Sequence, residues 1–120
     1  MNISFIFRKP LFPLICDLDG FVIAARSKRG LEKQLSKHKM SKDSFYSVID
    51  RSGEGWAFYP KLMGISPLTT KKRWFKKEVI GMYNNRKNNA SNTLYSEKSL
   101  SAKRFDTIFT EIVELLIKNC

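Results

Sequence analysis

Cysteine and histidine, which build most metal centres and redox sites, are nearly missing from this chain of 120 residues. Its two cysteines, Cys16 and Cys120, are too few and too far apart for a zinc ribbon or a CxxC redox pair. Cys16 lies in an apolar run, which predicts a small core residue, and a free thiol at Cys120 indicates a reducing compartment. The one histidine, His38, has no partner at metal-ligand spacing, so we expect neither a metal nor another cofactor.

Long apolar runs are lacking as well. No run approaches the 18 residues that indicate a membrane-spanning helix. The apolar start of the chain, residues 3–7, is followed by Arg8, Lys9 and Pro10, whereas a signal peptide carries its charges before the apolar segment. The sequence therefore predicts a cytoplasmic protein without a membrane partner.

Acidic residues are the third scarce class, since 11 Asp and Glu stand against 22 Lys and Arg for a net charge of +11. Residues 71–87 hold seven basic residues and one acidic residue, so their net charge of +6 is over half of the total. Trp74 and Phe75 lie among these charges, and the combination favours a partly flat anionic partner such as nucleic acid. An acidic protein is the alternative partner, and basicity that serves only solubility is the plainer explanation.

The remaining composition suits a single domain over residues 1–120, because 42% of the residues are apolar and nine are phenylalanine. Residues 3–8 predict a short strand. Residues 14–24 place two apolar runs around an Asp-Gly pair, the strongest short-range signal for a hairpin. Residues 45–59 predict a second hairpin around the polar connection 51–54.

The helical signals complete the predicted fold. Helices are expected over about residues 28–39 with Ser27 as the cap, 70–85 with Thr69 or Thr70 as the cap, and 100–118. Gly64 and Pro67 predict a connecting loop, and residues 84–99 predict a flexible polar loop. The order strand, hairpin, helix, hairpin, helix, helix predicts an α+β fold, in which an antiparallel sheet built from two hairpins carries its helices on one face.

The sequence Asp17-Leu18-Asp19-Gly20 resembles the first motif of haloacid-dehalogenase-type phosphatases. The resemblance implies that Asp17 is a nucleophile and Asp19 a general acid and base, with Mg²⁺ neutralising charge. Phe21 stands where the motif has Thr, and no acidic pair follows downstream to hold the metal. We therefore prefer a hairpin turn in which the Asp side chains accept hydrogen bonds from the backbone.

The basic segment divides when it is drawn as a helix. Phe75, Val79 and Met82 share one face and are predicted to be core, whereas Trp74 points away from that face. The three cations before Trp74 occupy the first helical turn, where backbone N–H groups favour a phosphate. The residues predicted to contact nucleic acid or another anion are Lys71, Lys72, Arg73, Trp74, Lys76, Lys77, Arg86 and Lys87.

Other functions stay open at this point. Trp56 and Phe58 alternate onto one strand face and are predicted to be core, although an open sheet face would make them a stacking platform. Tyr83 and Arg86 would be the residues of a small ribonuclease, but no spacing requires that role. The closing helix suggests a protein–protein module and a homodimer, because it is apolar along most of its length; its apolar residues are Phe105, Ile108, Phe109, Ile112, Val113, Leu115, Leu116 and Ile117.

One stretch of the chain runs SPLTTKKRWFKKEVI from Ser66 to Ile80, with Met82-Tyr83-Asn84 after it and Gly53-Glu54-Gly55-Trp56 before it. It resembles segments of small uncharacterised bacterial proteins, including products of mobile integron gene cassettes. The resemblance implies no particular activity, and it is in keeping with an accessory protein rather than a metabolic enzyme. The sequence as a whole favours a small, basic, non-catalytic binding protein.

Overall fold

The computed structural model describes residues 2–68, 73–88 and 94–118, with Ser99 described by its backbone alone. These residues form six strands and four helices. The strands are β1 (Ser4–Phe5), β2 (Leu14–Leu18), β3 (Phe21–Ala25), β4 (Tyr46–Ile49), β5 (Gly55–Tyr59) and β6 (Gly64–Pro67). The helices are α1 (Lys28–Leu35), α2 (Lys76–Asn84), α3 (Ser99–Ala102) and α4 (Phe105–Lys118).

All six strands belong to one sheet, in the order β1-β6-β5-β4-β2-β3. Neighbouring strands are antiparallel except β1 and β6, which are parallel. The predicted α+β class and both predicted hairpins are confirmed. The loop predicted at Gly64 and Pro67 is wrong, because both residues lie in β6. Pairing with β5 and β1 makes this segment a strand, and a Cβ on Gly64 would require only the side chain of Ile6, the residue after β1, to shift.

The sheet separates two cores, because alternate residues of each strand point to opposite faces. Leu14, Cys16 and Val48 face the core under α1, whereas Ile15 and Ile49 face the core under α2 and α4. The prediction of helices on one face is wrong in this respect, since α1 lies opposite the others. A sheet covered on both faces accounts for the nearly continuous apolar runs of β2 and β3.

Helix α1 begins at the predicted cap but ends earlier than predicted. Ser27 caps α1 as predicted, since its Oγ accepts a hydrogen bond of 3.1 Å from the N–H of Gly30. This helix ends at Leu35, earlier than expected, and the ring of His38 lies 6.1 Å from that of Phe21. No described helix has the length and apolar character that crossing a membrane would require.

The two hairpin turns lie at opposite ends of the sheet, because β2 and β4 are antiparallel neighbours. The turn between β2 and β3 consists of Asp19 and Gly20, both at positive φ (52° and 97°). Such a two-residue turn matches the twist of the strands, and it explains the Asp-Gly pair. At the other end, the turn between β4 and β5 leads into the segment that carries the candidate site.

Candidate nucleic-acid interface

The described part of the basic segment, from Arg73 onward, begins as an extended strand-like piece and not as a helix. Arg73 forms an isolated β-bridge with Glu54, and the N–H of Trp74 donates a hydrogen bond of 2.7 Å to the carbonyl of Gly53. Helix α2 starts at Lys76, so the prediction that Arg73 occupies the first helical turn is wrong. The contacts with the β4–β5 turn hold this piece extended, and Lys76 and Lys77 take the first-turn positions instead.

The start of α2 borders a hollow of about 470 Å³ beside the β4–β5 turn. Five consecutive residues of the basic segment line it: Arg73, Trp74, Phe75, Lys76 and Lys77. Its other walls come from Ser52 in the turn, from Leu100 in α3 and from Phe105 at the start of α4. The hollow is therefore apolar at its walls and positively charged at its rim, and its size lies within the range of small-ligand sites.

A glycine in the β4–β5 turn allows these walls to meet. Gly53 has a φ of 89°, in the region that favours glycine, and a Cβ there would lie 3.1 Å from the ring of Phe105 and 3.2 Å from the carbonyl oxygen of Trp74. Replacing it would strain the backbone and push the turn away from both residues. Gly53 thus allows the basic segment and the start of α4 to approach the same turn closely.

The two aromatic residues of the segment exchange their predicted roles. Phe75, predicted to be core, is 67% exposed at the N-terminal boundary of α2. Trp74, predicted to point away from the core, packs partly buried against the core that contains Val79. The exchange follows from the late start of the helix, because Trp74 and Phe75 precede it and do not follow its wheel. Val79 is fully buried and Met82 packs against the same core, as predicted.

The three described cations at the hollow differ in how far they are engaged. The ammonium of Lys76 donates hydrogen bonds to the carbonyls of Leu100 (2.6 Å) and Lys103 (3.0 Å), so it ties α2 to the junction of α3 and α4. Arg73 donates one guanidinium hydrogen bond of 2.9 Å to the carbonyl of Ser52 and remains exposed. Lys77 is exposed as well. Arg73 and Lys77 are therefore the cations that a ligand would reach first.

An acidic residue moderates the potential beside the hollow. Glu54 forms an ion pair with Arg8. The hydrogen bond from the Arg8 guanidinium holds the pKa of the Glu54 carboxyl below its ordinary value, although burial opposes this effect. The charge of Arg73 lowers the same pKa further. Glu54 is thus ionised at neutral pH and links Arg8 on one side of the β4–β5 turn with Arg73 on the other.

The remaining predicted contact residues lie elsewhere or outside the described residues. Lys71 and Lys72 are among the residues that the structure does not describe. Arg86 is only 7% exposed, with its guanidinium 3.8 Å from the centre of the Tyr83 ring and a hydrogen bond of 2.7 Å to the Tyr83 carbonyl. Lys87 is exposed, but its N–H donates to the carbonyl of Gly20 at the opposite end of the sheet. The prediction that Arg86 extends an exposed patch is therefore wrong.

The predicted polar loop is fastened at both described ends. The side chain of Asn84 accepts a hydrogen bond of 2.7 Å from the N–H of Tyr95 and donates one of 3.1 Å to its carbonyl. The side chain of Asn88 pairs in the same two-way manner with the backbone of Val22 in β3. Residues 89–93 lie outside the described residues, so the predicted flexibility stays a prediction.

The phosphatase-like motif serves the hairpin. Oδ1 of Asp17 accepts a hydrogen bond of 2.7 Å from the N–H of Gly20, which is the turn interpretation preferred above. No group of three or more His, Cys, Asp or Glu that could hold a metal ion is found among the described residues. Cys16 is buried in the core, as predicted; it is a free thiol, and burial raises its pKa well above the ordinary value.

The alternative sites are placed in the protein interior. Trp56 and Phe58 are fully buried, as predicted, and the indole N–H of Trp56 donates to the buried carboxylate of Asp50 at 3.1 Å. Tyr83 is fully buried too, so neither it nor Arg86 is accessible to an RNA substrate as the ribonuclease interpretation requires.

Helix α4 buries much of its apolar stripe within the chain, at Ile108, Phe109, Ile112, Val113 and Leu116. The predicted homodimer stays a prediction, with a smaller apolar surface available to it. A larger hollow of about 630 Å³ lies against α4, but it contains the carboxylates of Glu111 and Glu114. Arg26 and Lys118 in the same lining balance these two charges, so the hollow has no excess of positive charge to attract a polyanion.

A second basic surface escaped the sequence analysis. Residues 26–42 contain seven Lys and Arg and one Glu, a net charge of +6 that equals that of residues 71–87. Arg29, Lys33 and Lys37 recur every fourth residue through α1 and the turn after it, and all three are exposed. This i, i+4 spacing was the signal that identifies the surface, which faces away from α2 across the sheet.

Comparisons with protein-family models, with curated proteins and with solved structures find no match for this chain. The resemblance to gene-cassette proteins accordingly stays a prediction.

Proposed function

We propose that this protein is a non-catalytic nucleic-acid-binding protein that contacts phosphates through Arg73 and Lys77 at the hollow beside the β4–β5 turn. The observation that carries the proposal is the lining of this hollow, where exposed cations and the exposed ring of Phe75 border one apolar depression. Phosphate contacts by Arg and Lys supply most of the sequence-independent affinity for nucleic acid, and aromatic rings add contact with bases. Lys71 and Lys72, adjacent in sequence to Arg73, add two further charges.

The test is a titration of a fluorescently labelled, mixed-sequence oligonucleotide followed by anisotropy over a series of salt concentrations. The wild type is expected to bind with an affinity that falls steeply with salt, because binding releases counterions. The double variant Arg73→Gln with Lys77→Gln is expected to weaken binding about ten-fold or more and to reduce the salt slope by roughly one to two.

The matched control is Arg29→Gln with Lys33→Gln, which removes the same charge from the exposed face of α1. It is expected to weaken binding no more than about three-fold, through the general field of the protein. Equal losses in both double variants would contradict the hollow as the site. Absence of binding at low salt would contradict the function itself, and binding of a polyglutamate but not of the oligonucleotide would point to an acidic protein.

A further inference from the structure

The end of the sheet beside the hollow carries a second exposed aromatic ring. Phe7 follows β1 and is 92% exposed. Since β1 runs parallel to β6, the chain leaves the sheet at the end where the β4–β5 turn lies. Arg8, the next residue, forms its ion pair with Glu54 of that turn, and its guanidinium lies 4.8 Å from the centre of the Trp56 ring. Phe7 is therefore at the same end of the molecule as the hollow.

The backbone at Phe7 is strained. Its φ is 71°, and the N–H of Arg8 donates a hydrogen bond of 2.9 Å to the carbonyl of Ile6, which closes a tight three-residue turn. This left-handed conformation is rare for a bulky residue and is normally occupied by glycine or asparagine. A strained turn that holds an aromatic ring in solvent contributes nothing to the core, and such strain is concentrated at functional sites.

Exposed cations lie near each of the two rings. Lys9 and Arg51 are exposed on the Phe7 side of the β4–β5 turn, and the N–H of Arg51 donates to the carbonyl of Leu11, so the two segments run side by side. Arg73 lies on the other side and bridges to Glu54. The end of the sheet thus presents two solvent-exposed phenylalanine rings, with Lys9 in the same hollow as Phe7 and Arg73 in the same hollow as Phe75.

We propose that single-stranded nucleic acid occupies this end of the sheet, with unpaired bases stacked on Phe7 and Phe75 and the intervening phosphates on the exposed cations. The inference rests on the proposed function and specifies its ligand. Bases in a duplex are stacked on each other, and only unpaired bases present their faces to an aromatic side chain. Phe7 lies in no helix that could enter the groove of a duplex. Its exposed ring therefore favours a single strand over a duplex.

The experiment compares a labelled 15-nucleotide single strand with the 15-base-pair duplex of the same sequence. The single strand is expected to bind about ten-fold more tightly. Phe7→Ala is expected to weaken single-strand binding about five-fold or more with an unchanged salt slope, because stacking is lost while the phosphate contacts remain. Phe7→Trp is expected to restore binding. The control Phe45→Ala, 54% exposed at the opposite end of the sheet, should leave binding unchanged.

A further variant separates the role of the ring from the role of the backbone. Phe7→Gly removes the ring and relieves the positive φ, so the melting temperature is expected to rise while binding weakens as in Phe7→Ala. A residue with a purely structural role would not give this opposite pair of changes.

Equal binding of duplex and single strand, or an unchanged affinity in Phe7→Ala, would overturn this inference and leave the proposed function standing. If the wild type bound no oligonucleotide at all, both this inference and the proposed function would be overturned. Vesicles of phosphatidylcholine and phosphatidylserine are the remaining arm, since exposed phenylalanines with cations also suit an anionic bilayer. Two results together would contradict the inference in favour of a membrane surface. The wild type would bind vesicles and show no preference for the single strand, and Phe7→Ala would abolish the vesicle binding.

Discussion

Two segments of this protein carry the same net charge and use it differently. Residues 26–42 and residues 71–87 each have seven cations and one carboxylate, and together they exceed the net charge of the whole chain. All seven cations of the first segment are exposed. In the second segment, Arg86 is buried and Lys76 is bonded to two carbonyls, while Arg73 and Lys77 border an apolar hollow. Equal charge therefore does not mean equal availability.

The difference shows that the groups surrounding a charge say more about its function than the number of charges in the segment does. Three cations of the first segment, Arg26, Lys33 and Lys37, border a smaller hollow of about 330 Å³, but no aromatic ring lines it. Among the described residues, the start of α2 has fewer exposed cations, but the exposed ring of Phe75 lines the hollow beside them. The predictions below test this difference, beginning with the largest expected effect.

The largest effect is expected for the buried cation of the second segment. Arg86→Ala removes a charge-assisted hydrogen bond to the Tyr83 carbonyl and the stacking of the guanidinium over the Tyr83 ring. We expect a loss of about 2–3 kcal/mol in the free energy of unfolding, measured by urea denaturation. Arg29→Ala in α1 is the matched control and should change stability by less than about 0.5 kcal/mol. Similar small values for both would mean that Arg86 is not structural.

The next effect concerns Lys76, whose ammonium joins α2 to the residues between α3 and α4. Lys76→Met keeps most of the aliphatic stem and leaves the carbonyls of Leu100 and Lys103 without this donor. We expect a loss of about 1–2 kcal/mol in the free energy of unfolding. Lys33→Met, on the exposed face of α1, is the control and should have almost no effect. An unchanged stability in Lys76→Met would mean that these hydrogen bonds do not stabilise the fold and that the ammonium of Lys76 is available to a ligand.

Local chemistry made part of this molecule predictable. The Asp19-Gly20 turn follows from a dipeptide whose conformational preference matches a two-residue hairpin, and Ser27 follows from its capping oxygen. β6 was not predictable in this way, because Gly64 and Pro67 behave locally as breakers and the strand is held by its pairing with β5 and β1. Long-range contacts of this kind leave no local signal.

In the candidate site, too, local features were predictable and features set by long-range contacts were not. Composition identified the basic segment, since charge and aromatic content are local properties. The start of α2 could not be predicted, because hydrogen bonding between Trp74 and Gly53, some 21 residues earlier in the chain, keeps the segment extended. That shift exchanged the roles of Trp74 and Phe75, and it is the reason that the exposed ring at the hollow is Phe75.

A third prediction sets charge directly against aromatic contact. Phe75→Lys adds one positive charge to the hollow while it removes the exposed ring. If charge alone governed binding, this variant would bind nucleic acid more tightly than the wild type. We expect single-strand binding to weaken about three- to ten-fold instead, because lost stacking outweighs one added phosphate contact. Glu114→Gln on α4, which also raises the net charge by one, controls for total charge, and anisotropy titration at fixed salt is the measurement.

The smallest effect is expected for the carboxylate at each basic segment. Glu54 faces Arg8 and Arg73, whereas Glu32 in α1 accepts a hydrogen bond of 2.6 Å from the N–H of Ile3. Glu54→Gln removes a negative charge beside the hollow, so nucleic-acid binding should tighten about two-fold at low salt. Glu32→Gln removes the same charge on the other face of the sheet and should leave binding unchanged. Equal tightening in both variants would mean that only the total charge matters.

The pH dependence of stability provides an independent check on Glu54. The folded-state pKa of this carboxyl is lowered, chiefly by the hydrogen bond from Arg8. The unfolded chain therefore takes up a proton at a higher pH than the folded protein, and the stabilisation is complete above the ordinary pKa of Glu and is lost as the pH falls through the folded-state value. The melting temperature of the wild type should exceed that of Glu54→Gln by a small, constant amount from about pH 7 to pH 5, with the gap closing below about pH 4. A gap that widens on acidification would contradict the assignment, because it would require a raised pKa.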